Sequence, residues 1–290
     1  MIKISEEFPL IMIKGVSYSY PNGTAALKDI NLTINRGEVV AIMGKNGAGK
    51  TTLIRTLNGL IRPLSGIIYL NQETIADKSI ATISKHVGII FQNPSHQLFA
   101  NNVEDEINFS LKSLDLSKEE IQIKINQILR DFNLEKYRER SPLNLSGGES
   151  KKLAIASIIC RDPEILIFDE PTLGQDAREI EYFVSLINQE KEKGKTIIII
   201  THNVEFAFEF IPRTILMSNG RIIADGPTEQ VLINESIIER ASLVLPQIRQ
   251  FILALQEAGF TPRDQITSIE ELINYLKNII KNNIIDLKEE

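Results

Sequence analysis

Residues 44–51, Gly-Lys-Asn-Gly-Ala-Gly-Lys-Thr, have the spacing G-x-x-x-x-G-K-[ST], which is typical of a loop that binds phosphate groups. Glycines let backbone N–H groups close around phosphate oxygens, and the start of the following helix adds a favourable partial charge. We expect Lys50 to reach the β- and γ-phosphates and Thr51 to bind Mg²⁺. The alternative is an ordinary glycine-rich turn. The residues predicted to hold a nucleotide here are Gly44, Asn46, Gly47, Gly49, Lys50, Thr51 and Thr52.

Two adjacent carboxylates, Asp169 and Glu170, follow the apolar run at residues 165–168. Such a run predicts a strand buried on both faces, and α/β sheets bind ligands at the carboxyl ends of these strands. We expect Asp169 to hold Mg²⁺ and Glu170 to act as the general base that polarises the attacking water. The alternative is a polar strand end before a proline turn, which the nearby phosphate-binding motif makes the weaker interpretation.

A third motif, Leu-Ser-Gly-Gly-Glu, occupies residues 145–149. Ser146 and Glu149 satisfy the capping-box pattern S-x-x-E, which predicts the start of a helix. A cap alone does not explain Gly147 and Gly148, because each glycine in a helix costs roughly 1 kcal/mol relative to alanine. Close approach of a phosphate to the backbone does explain them. The motif therefore predicts a capped helix whose N-terminus faces an anion.

The elements that must position these motifs alternate between short β-branched runs and stretches of helical period, which predicts an α/β domain with a mostly parallel sheet. The predicted buried strands are residues 39–43, 87–91, 165–168 and 196–200. Residues 1–35 and 66–70 predict shorter antiparallel strands, and residues 102–140 predict helices. The apolar positions predicted to face the core are Ile121, Ile125, Ile128 and Leu129 in one helix, and Ile180, Phe183, Val184 and Ile187 in another.

The three motifs, in this order along the chain, resemble the Walker A, signature and Walker B sequences of ATP-binding-cassette (ABC) ATPases, and the resemblance covers residues 11–231. It implies an α/β P-loop NTPase fold of the ABC-ATPase cassette type. The expected parts are a mixed core sheet, an antiparallel β subdomain, and a helical subdomain at residues 100–160. ATP and Mg²⁺ are the cofactors that the resemblance implies.

The resemblance also assigns roles to residues that would be unremarkable alone. Gln92 matches the Q-loop glutamine, which contacts Mg²⁺ and senses a transmembrane partner, and His202 matches the switch histidine that contacts the γ-phosphate. Asp176 matches the D-loop aspartate. Tyr20 matches the aromatic residue that stacks on adenine, with Tyr18 as a rival. The implied catalytic set is Lys50, Gln92, Glu170 and His202; the implied Mg²⁺ ligands are Thr51, Gln92 and Asp169; and the remaining nucleotide contacts are Ser146, Gly147, Gly148 and Asp176.

Two departures from the common ABC pattern lie in these motifs. Glu149 stands where the signature often has glutamine, and Gln175 stands where the D-loop usually has leucine.

In this family two cassettes sandwich two ATP molecules head to tail, so the resemblance implies that Ser146 and Gly148 contact the γ-phosphate held by the partner's Lys50. A second ABC ATPase subunit, either a copy of this chain or a related one, is therefore an expected partner.

Composition excludes several other classes of function. Asp and Glu total 38 against 32 Lys and Arg, a net charge of −6, which argues against nucleic acid as a partner. Cys160 is the only cysteine, which excludes a disulfide framework and thiolate zinc sites. No apolar run approaches the ~20 residues that span a bilayer. We therefore expect a soluble, intracellular chain, and the resemblance to ABC transporter ATPases implies a peripheral location on the cytoplasmic face of the cell membrane.

Two segments are similar to the ATPases of energy-coupling-factor (ECF) and cobalt-type importers: residues 91–99, an extended Q-loop, and residues 245–276. In those ATPases the second segment helps to join the two subunits. We expect an ABC ATPase domain at residues 1–235 and a C-terminal helical dimerisation segment at residues 236–290. In the latter, Pro246 and Gly259 bound one predicted helix, and a capping box formed by Ser268 and Glu271 begins another.

The expected function is that of the ATP-hydrolysing motor of an ECF-type importer for a vitamin or a transition-metal ion. Integral membrane subunits, comprising a transmembrane scaffold and a substrate-binding component, are the expected further partners. The alternatives are the ATPase of another ABC transporter class, including an exporter, and an ATP-dependent regulator outside transport. The sequence selects neither the substrate nor a homodimer over a heterodimer.

Overall fold

Two sheets with helices around them form the part of the chain that the computed structural model describes, residues 8–262, 266 and 270–279. The strands are β1 (Ile11–Ser19), β2 (Ala25–Ile34), β3 (Val39–Met43), β4 (Ser65–Leu70), β5 (Glu73–Thr74), β6 (Val87–Ile90), β7 (Ile165–Asp169), β8 (Thr196–Ile200), β9 (Arg213–Ser218) and β10 (Arg221–Pro227). The helices are α1 (Lys50–Leu57), α2 (Ile80–Ser84), α3 (Val103–Leu111), α4 (Lys118–Asp131), α5 (Gly147–Ile159), α6 (Ala177–Glu192), α7 (Val204–Phe210), α8 (Thr228–Val231), α9 (Glu235–Ala241) and α10 (Gln247–Glu257).

The core sheet has the strand order β10-β9-β3-β8-β7-β6. Five neighbouring strands, from β9 to β6, run parallel, and β10 pairs antiparallel with β9, so the predicted mixed sheet is confirmed. All four strands predicted from apolar runs are present, although β6 ends one residue early, at Ile90. Because parallel strands end at the same edge of a sheet, the loops that follow β3, β6, β7 and β8 lie together.

Alternate residues of the core strands face two separate hydrophobic clusters, as expected for a strand buried on both faces. In β3, Val39, Ala41 and Met43 belong to the cluster shared with α3–α6, whereas Val40 and Ile42 belong to the cluster shared with α1 and the smaller sheet. The core sheet therefore separates a helical layer from an antiparallel layer. This arrangement leaves its carboxyl edge free for loops.

The smaller sheet has the order β2-β1-β4-β5 and is antiparallel, as predicted. The expectation of short strands is confirmed for β4, which has six residues, and is wrong for β1 and β2, which have nine and ten. Register shifts follow Ile13 and Val16 in the pairing of these strands, and Gly15 and Asp29 have φ values of +61° and +53°. Such bulges place polar residues within a continuous strand and break the alternation that a sequence pattern relies on.

The helices of the second layer bury the stripes that their periodicity predicts. In α4, Ile125 and Leu129 are buried, and Ile121 and Ile128 pack partly buried against the same cluster. The apolar positions of α6 behave in the same way. No helix in the described ranges is long and apolar enough to cross a bilayer.

The C-terminal segment begins within the main cluster, because Ile238 and Ala241 of α9 are both buried there. As predicted, Pro246 precedes α10 and Gly259 ends it in a left-handed conformation, φ +87°. Residues 270–279 are also helical, but the predicted capping residue Ser268 lies outside the described residues. The boundary at residue 235 and the dimerisation role of residues 236–290 stay predictions.

Candidate functional site

The loop between β3 and α1 passes so close to its neighbours that two of its glycines leave no room for a side chain. Gly44, at φ +140°, would place a Cβ 2.1 Å from the carbonyl oxygen of Met217. Gly49, at φ +106°, would place one 2.5 Å from the carbonyl oxygen of Ala26. These positive φ values favour glycine independently of the available space. The loop is thus fixed by contact with strands of both sheets before any ligand is considered.

Lys50, the first residue of α1, is buried at 7% exposure with its ammonium group inside the loop. Its Nζ donates hydrogen bonds to the carbonyl oxygens of Gly44 at 2.6 Å and Lys45 at 3.1 Å. Burial lowers the pKa of Lys50, and the Glu170 and Asp169 carboxylates act in the opposite direction. The structure therefore brings together the predicted phosphate-binding cation and the predicted acidic pair.

The oxygen atoms needed for Mg²⁺ are available at this edge of the sheet. Burial raises the pKa of the Asp169 carboxyl and Glu170 raises it further, whereas Lys50 and Arg55 lower it. Thr51 is exposed at the start of α1. Within the described ranges, no cluster of three or more His, Cys, Asp or Glu side chains could hold a metal ion. The Asp169 carboxylate and the Thr51 hydroxyl fit Mg²⁺, because this ion binds through one or two carboxylates together with water and phosphate oxygens.

Glu170 and His202 contact each other directly, an arrangement that sequence reasoning missed. Nδ1 of His202 lies 2.8 Å from Oε1 of Glu170, and the backbone N–H of His202 points to Oε2 at 3.4 Å. The Glu170 side chain is 12% exposed and that of His202 is 54% exposed. Glu170 also has φ +49° and donates its N–H to the carbonyl oxygen of Ile200 at 2.9 Å. A non-glycine residue in this conformation stores strain, which is common at functional sites.

Gln92 lies at the same edge, exposed, two residues after the end of β6. Because β6 is the neighbour of β7 in the sheet, Gln92 follows the strand next to the one that carries Asp169. The loop after it is anchored to α5: Gln97 Nε2 donates to the carbonyl oxygen of Ala154 at 2.6 Å and contacts Ser157 Oγ at 3.1 Å. The extended Q-loop is therefore attached to the helical layer.

The structure distinguishes between the two tyrosines that rival each other in sequence. The hydroxyl of Tyr20 is 2.9 Å from Oγ1 of Thr52, in the first turn of α1. Tyr18 instead packs partly buried against the cluster beneath the antiparallel sheet, with its ring edge-on to that of Tyr20 at 5.2 Å. The hydroxyl contact of Tyr20 with Thr52, two residues after Lys50, favours Tyr20 over Tyr18.

The signature motif begins α5 as predicted. Ser146 Oγ accepts the N–H of Glu149 at 3.3 Å, and Oε2 of Glu149 accepts the N–H of Ser146 at 2.8 Å, so the capping box is confirmed. A Cβ at Gly147 would meet no atom within 4 Å. The packing of this chain therefore does not require that glycine, consistent with the close approach of another molecule. The Tyr137 hydroxyl and then the Ser146 N–H lower the pKa of Glu149 to about 2.

Asp176 caps α6 by accepting the N–H of Glu179 at 2.9 Å, in a second capping box. The D-x-x-E spacing at residues 176–179 is the sequence signal for this cap, in addition to the resemblance of Asp176 to a D-loop aspartate. A cavity of about 340 Å³ separates the starts of α5 and α6, and its lining includes Ser146, Gly148 and Asp176. No residue of the loop at 44–51 lines it. The predicted contacts thus fall into two groups within one chain.

A family model described as ABC transporter matches residues 27–173, just over half of the chain. The chain belongs to the ABC transporter family. The predicted cassette fold and family are thereby confirmed. In this ABC cassette, the matched region contains both the phosphate-binding loop and the acidic pair.

Similarity to ABC proteins extends over nearly the whole chain. The ECF transporter ATP-binding protein EcfA of Methanococcus maripaludis is 36% identical over 94% of this chain and 99% of its own length. An ABC transporter ATP-binding protein of Methanosarcina mazei is 38% identical over 94% of this chain, which spans only 46% of that longer protein. The structure of cbiO1 from Clostridium perfringens, described as part of the ABC transporter complex cbiONQ, aligns with a TM-score of 0.73. That alignment covers 85% of this chain and 100% of cbiO1 at 34% identity.

Proposed function

We propose that this chain is the ATP-hydrolysing subunit of an ECF-type importer. The observation that carries the proposal is the end-to-end similarity to an ECF ATP-binding protein, which includes the C-terminal segment beyond the cassette. The contact between Glu170 and His202, beside Lys50 and Asp169, supplies the chemistry that such a subunit needs. A vitamin or a transition-metal ion is the proposed class of substrate.

The residues at the carboxyl edge of the core sheet have different roles in ATP hydrolysis. Lys50 turns from its own loop carbonyls to the β- and γ-phosphates of ATP, so its buried charge gains an anionic partner. Mg²⁺, held by Thr51, Asp169 and Gln92, neutralises phosphate charge when it is bound. Glu170 accepts the proton of the attacking water, because its carboxylate is positioned by His202.

The second group of contacts requires another cassette. Ser146 and Gly148 line a cavity to which the phosphate-binding loop contributes nothing, so they serve a nucleotide held by a different subunit. We propose a head-to-tail pair in which each subunit's signature motif closes its partner's site. Because ATP contacts both subunits only in the closed pair, binding favours closure, and loss of the γ-phosphate favours opening.

The proposed route to the membrane passes through the extended Q-loop. This loop is bonded to α5, the helix that begins with the signature motif, so movement of the helical layer moves the loop with it. Phe99 and Phe109 stack edge-to-face at 4.7 Å and are 65% and 52% exposed, which provides an apolar contact for an integral membrane subunit. A transmembrane scaffold and a substrate-binding component are the proposed partners, and the cytoplasmic face of the membrane is the proposed location.

Purification from native membranes tests the proposed assembly. The tagged chain is extracted in mild detergent, and the copurifying proteins are identified. We expect a transmembrane scaffold, small hydrophobic binding subunits and a second cassette, identical or related. A permease pair without binding subunits would assign the chain to another transporter class. Recovery without any membrane protein would contradict a role in transport.

The Tyr20→Ala variant tests the nucleotide pocket. Stacking of a base on an aromatic ring contributes about 1–3 kcal/mol, so we expect ATP affinity to fall by roughly 5- to 150-fold. Tyr20→Phe keeps the ring and loses only the contact with Thr52, so its affinity should stay within a few-fold of wild type. Titration with a fluorescent ATP analogue measures both. Equal ATP affinity for Tyr20→Ala and wild type would exclude stacking of Tyr20 on the adenine base.

A further inference from the structure

The loop that follows Glu170 is held by a set of side chains outside the three motifs. Lys151, in the second turn of α5, donates from Nζ to the carbonyl oxygen of Pro171. In the orientation that gives both of its amide atoms a partner, Gln175 donates from Nε2 to the same carbonyl oxygen at 3.1 Å. In that orientation its Oε1 also accepts from Lys151 Nζ at 3.1 Å. These three groups close a triangle of hydrogen bonds, which we name the Lys151–Pro171–Gln175 triangle.

The backbone of the loop folds back on itself, which brings the side chain of Gln175 close to the carbonyl group of Pro171. The N–H of Leu173 donates to the carbonyl oxygen of Glu170 at 3.3 Å, and the N–H of Gln175 donates to that of Thr172 at 3.3 Å. Two successive turns therefore bring the side chain of Gln175 back over the start of the loop. Leucine, the more usual residue at this position in the pattern that the chain resembles, could form neither of the amide contacts.

The ammonium group of Lys151 is half-buried, and a charged group in such a position requires polar partners. Burial lowers its pKa, and the charge of Glu179 partly offsets this. The Pro171 carbonyl oxygen and the Gln175 amide oxygen provide the hydrogen-bond acceptors. Removal of either partner thus leaves a buried group incompletely bonded, and this couples the residues energetically.

The triangle joins two motifs that serve different nucleotides in the proposed dimer. Pro171 directly follows Glu170, and α5 begins at the signature motif. We propose that Lys151 and Gln175 are positioning residues that tie the backbone after Glu170 to the signature helix of the same subunit. When the partner's nucleotide engages the signature motif, Glu170 is thereby oriented towards its own. This inference rests on the proposed ATPase function.

The test compares Gln175→Leu, Lys151→Met and the double variant within the assembly purified from membranes. A hydrogen bond contributes about 0.5–1.5 kcal/mol, so each single variant should lower kcat by roughly 2- to 12-fold. The ATP affinity of the isolated subunit should not change, because neither residue belongs to the phosphate-binding loop. The double variant should be no slower than the slower single variant, since both changes break the same triangle.

Two further variants separate positioning from structural support. Lys151→Arg keeps a cationic donor and should recover most of the lost rate. Gln189→Leu makes the same chemical change at an exposed position of α6 and should leave kcat unchanged. Wild-type kcat for Gln175→Leu, multiplicative losses in the double variant, or a rise in KM that follows a fall in Tm would overturn the inference. Absence of hydrolysis by the wild-type assembly would instead overturn the proposed function itself.

Discussion

The Glu170→Gln variant should bind ATP as tightly as the wild-type chain and hydrolyse it about 100- to 10,000-fold more slowly. The amide oxygen of glutamine can still accept a hydrogen bond from His202, so the local geometry is kept. The amide cannot, however, take a proton from the attacking water. Because hydrolysis is what opens the closed pair, an ATP-bound dimer should accumulate. Phosphate release measures the rate, and gel filtration with ATP measures the dimer.

A matched variant makes this result specific. Glu181→Gln removes a carboxylate from an exposed position of α6 and should hydrolyse ATP at the wild-type rate. Wild-type turnover in Glu170→Gln would exclude the general-base role of Glu170. Loss of ATP binding in the same variant would instead assign that carboxylate to holding the nucleotide.

The Lys50→Met variant should lose ATP affinity by at least about 30-fold, because removal of one member of a buried charge pair costs 2–5 kcal/mol. Its folding stability should not fall correspondingly. Burial lowers the pKa of Lys50, so the fold disfavours the charged form, and this cost is fully present at pH values below the folded pKa. Removing the charge relieves that cost and offsets the loss of two hydrogen bonds to loop carbonyls.

Calorimetric ATP titration and thermal unfolding of the same preparation test these two expectations together. Lys191→Met, at an exposed position in the last turn of α6, serves as the control and should match wild type in both measurements. A large fall in Tm for Lys50→Met would make Lys50 a structural residue. Unchanged ATP affinity would exclude its contact with phosphate.

Much of the fold could be predicted from local patterns. The buried strands β3, β7 and β8 were predicted because each is an unbroken apolar run, a pattern that requires cover on both faces. The start of α5 was predicted because Ser146 and Glu149 form a cap that depends only on residues three apart. Such features depend on neighbours in sequence, so sequence is sufficient to find them.

Contacts between distant segments could not be predicted in this way. The bond between Glu170 and His202 depends on the pairing of β7 with β8 and on the left-handed backbone of Glu170. The contact of Lys151 with Gln175 depends on how the helical layer packs against the core sheet. The lengths of β1 and β2 were underestimated because their bulges interrupt the pattern. Each of these features depends on a residue that is distant in sequence or on an irregular backbone conformation, and local sequence patterns reveal neither.

The central claim is that this chain hydrolyses ATP to drive transport, and steady-state phosphate release by the membrane-purified assembly tests it most directly. With saturating ATP and Mg²⁺ we predict saturable release at roughly 1 per second or faster, the usual range for enzymes. The same reaction without the assembly sets the background. ATP binding without release above that background would contradict the claim and would favour a regulator that uses ATP only to dimerise.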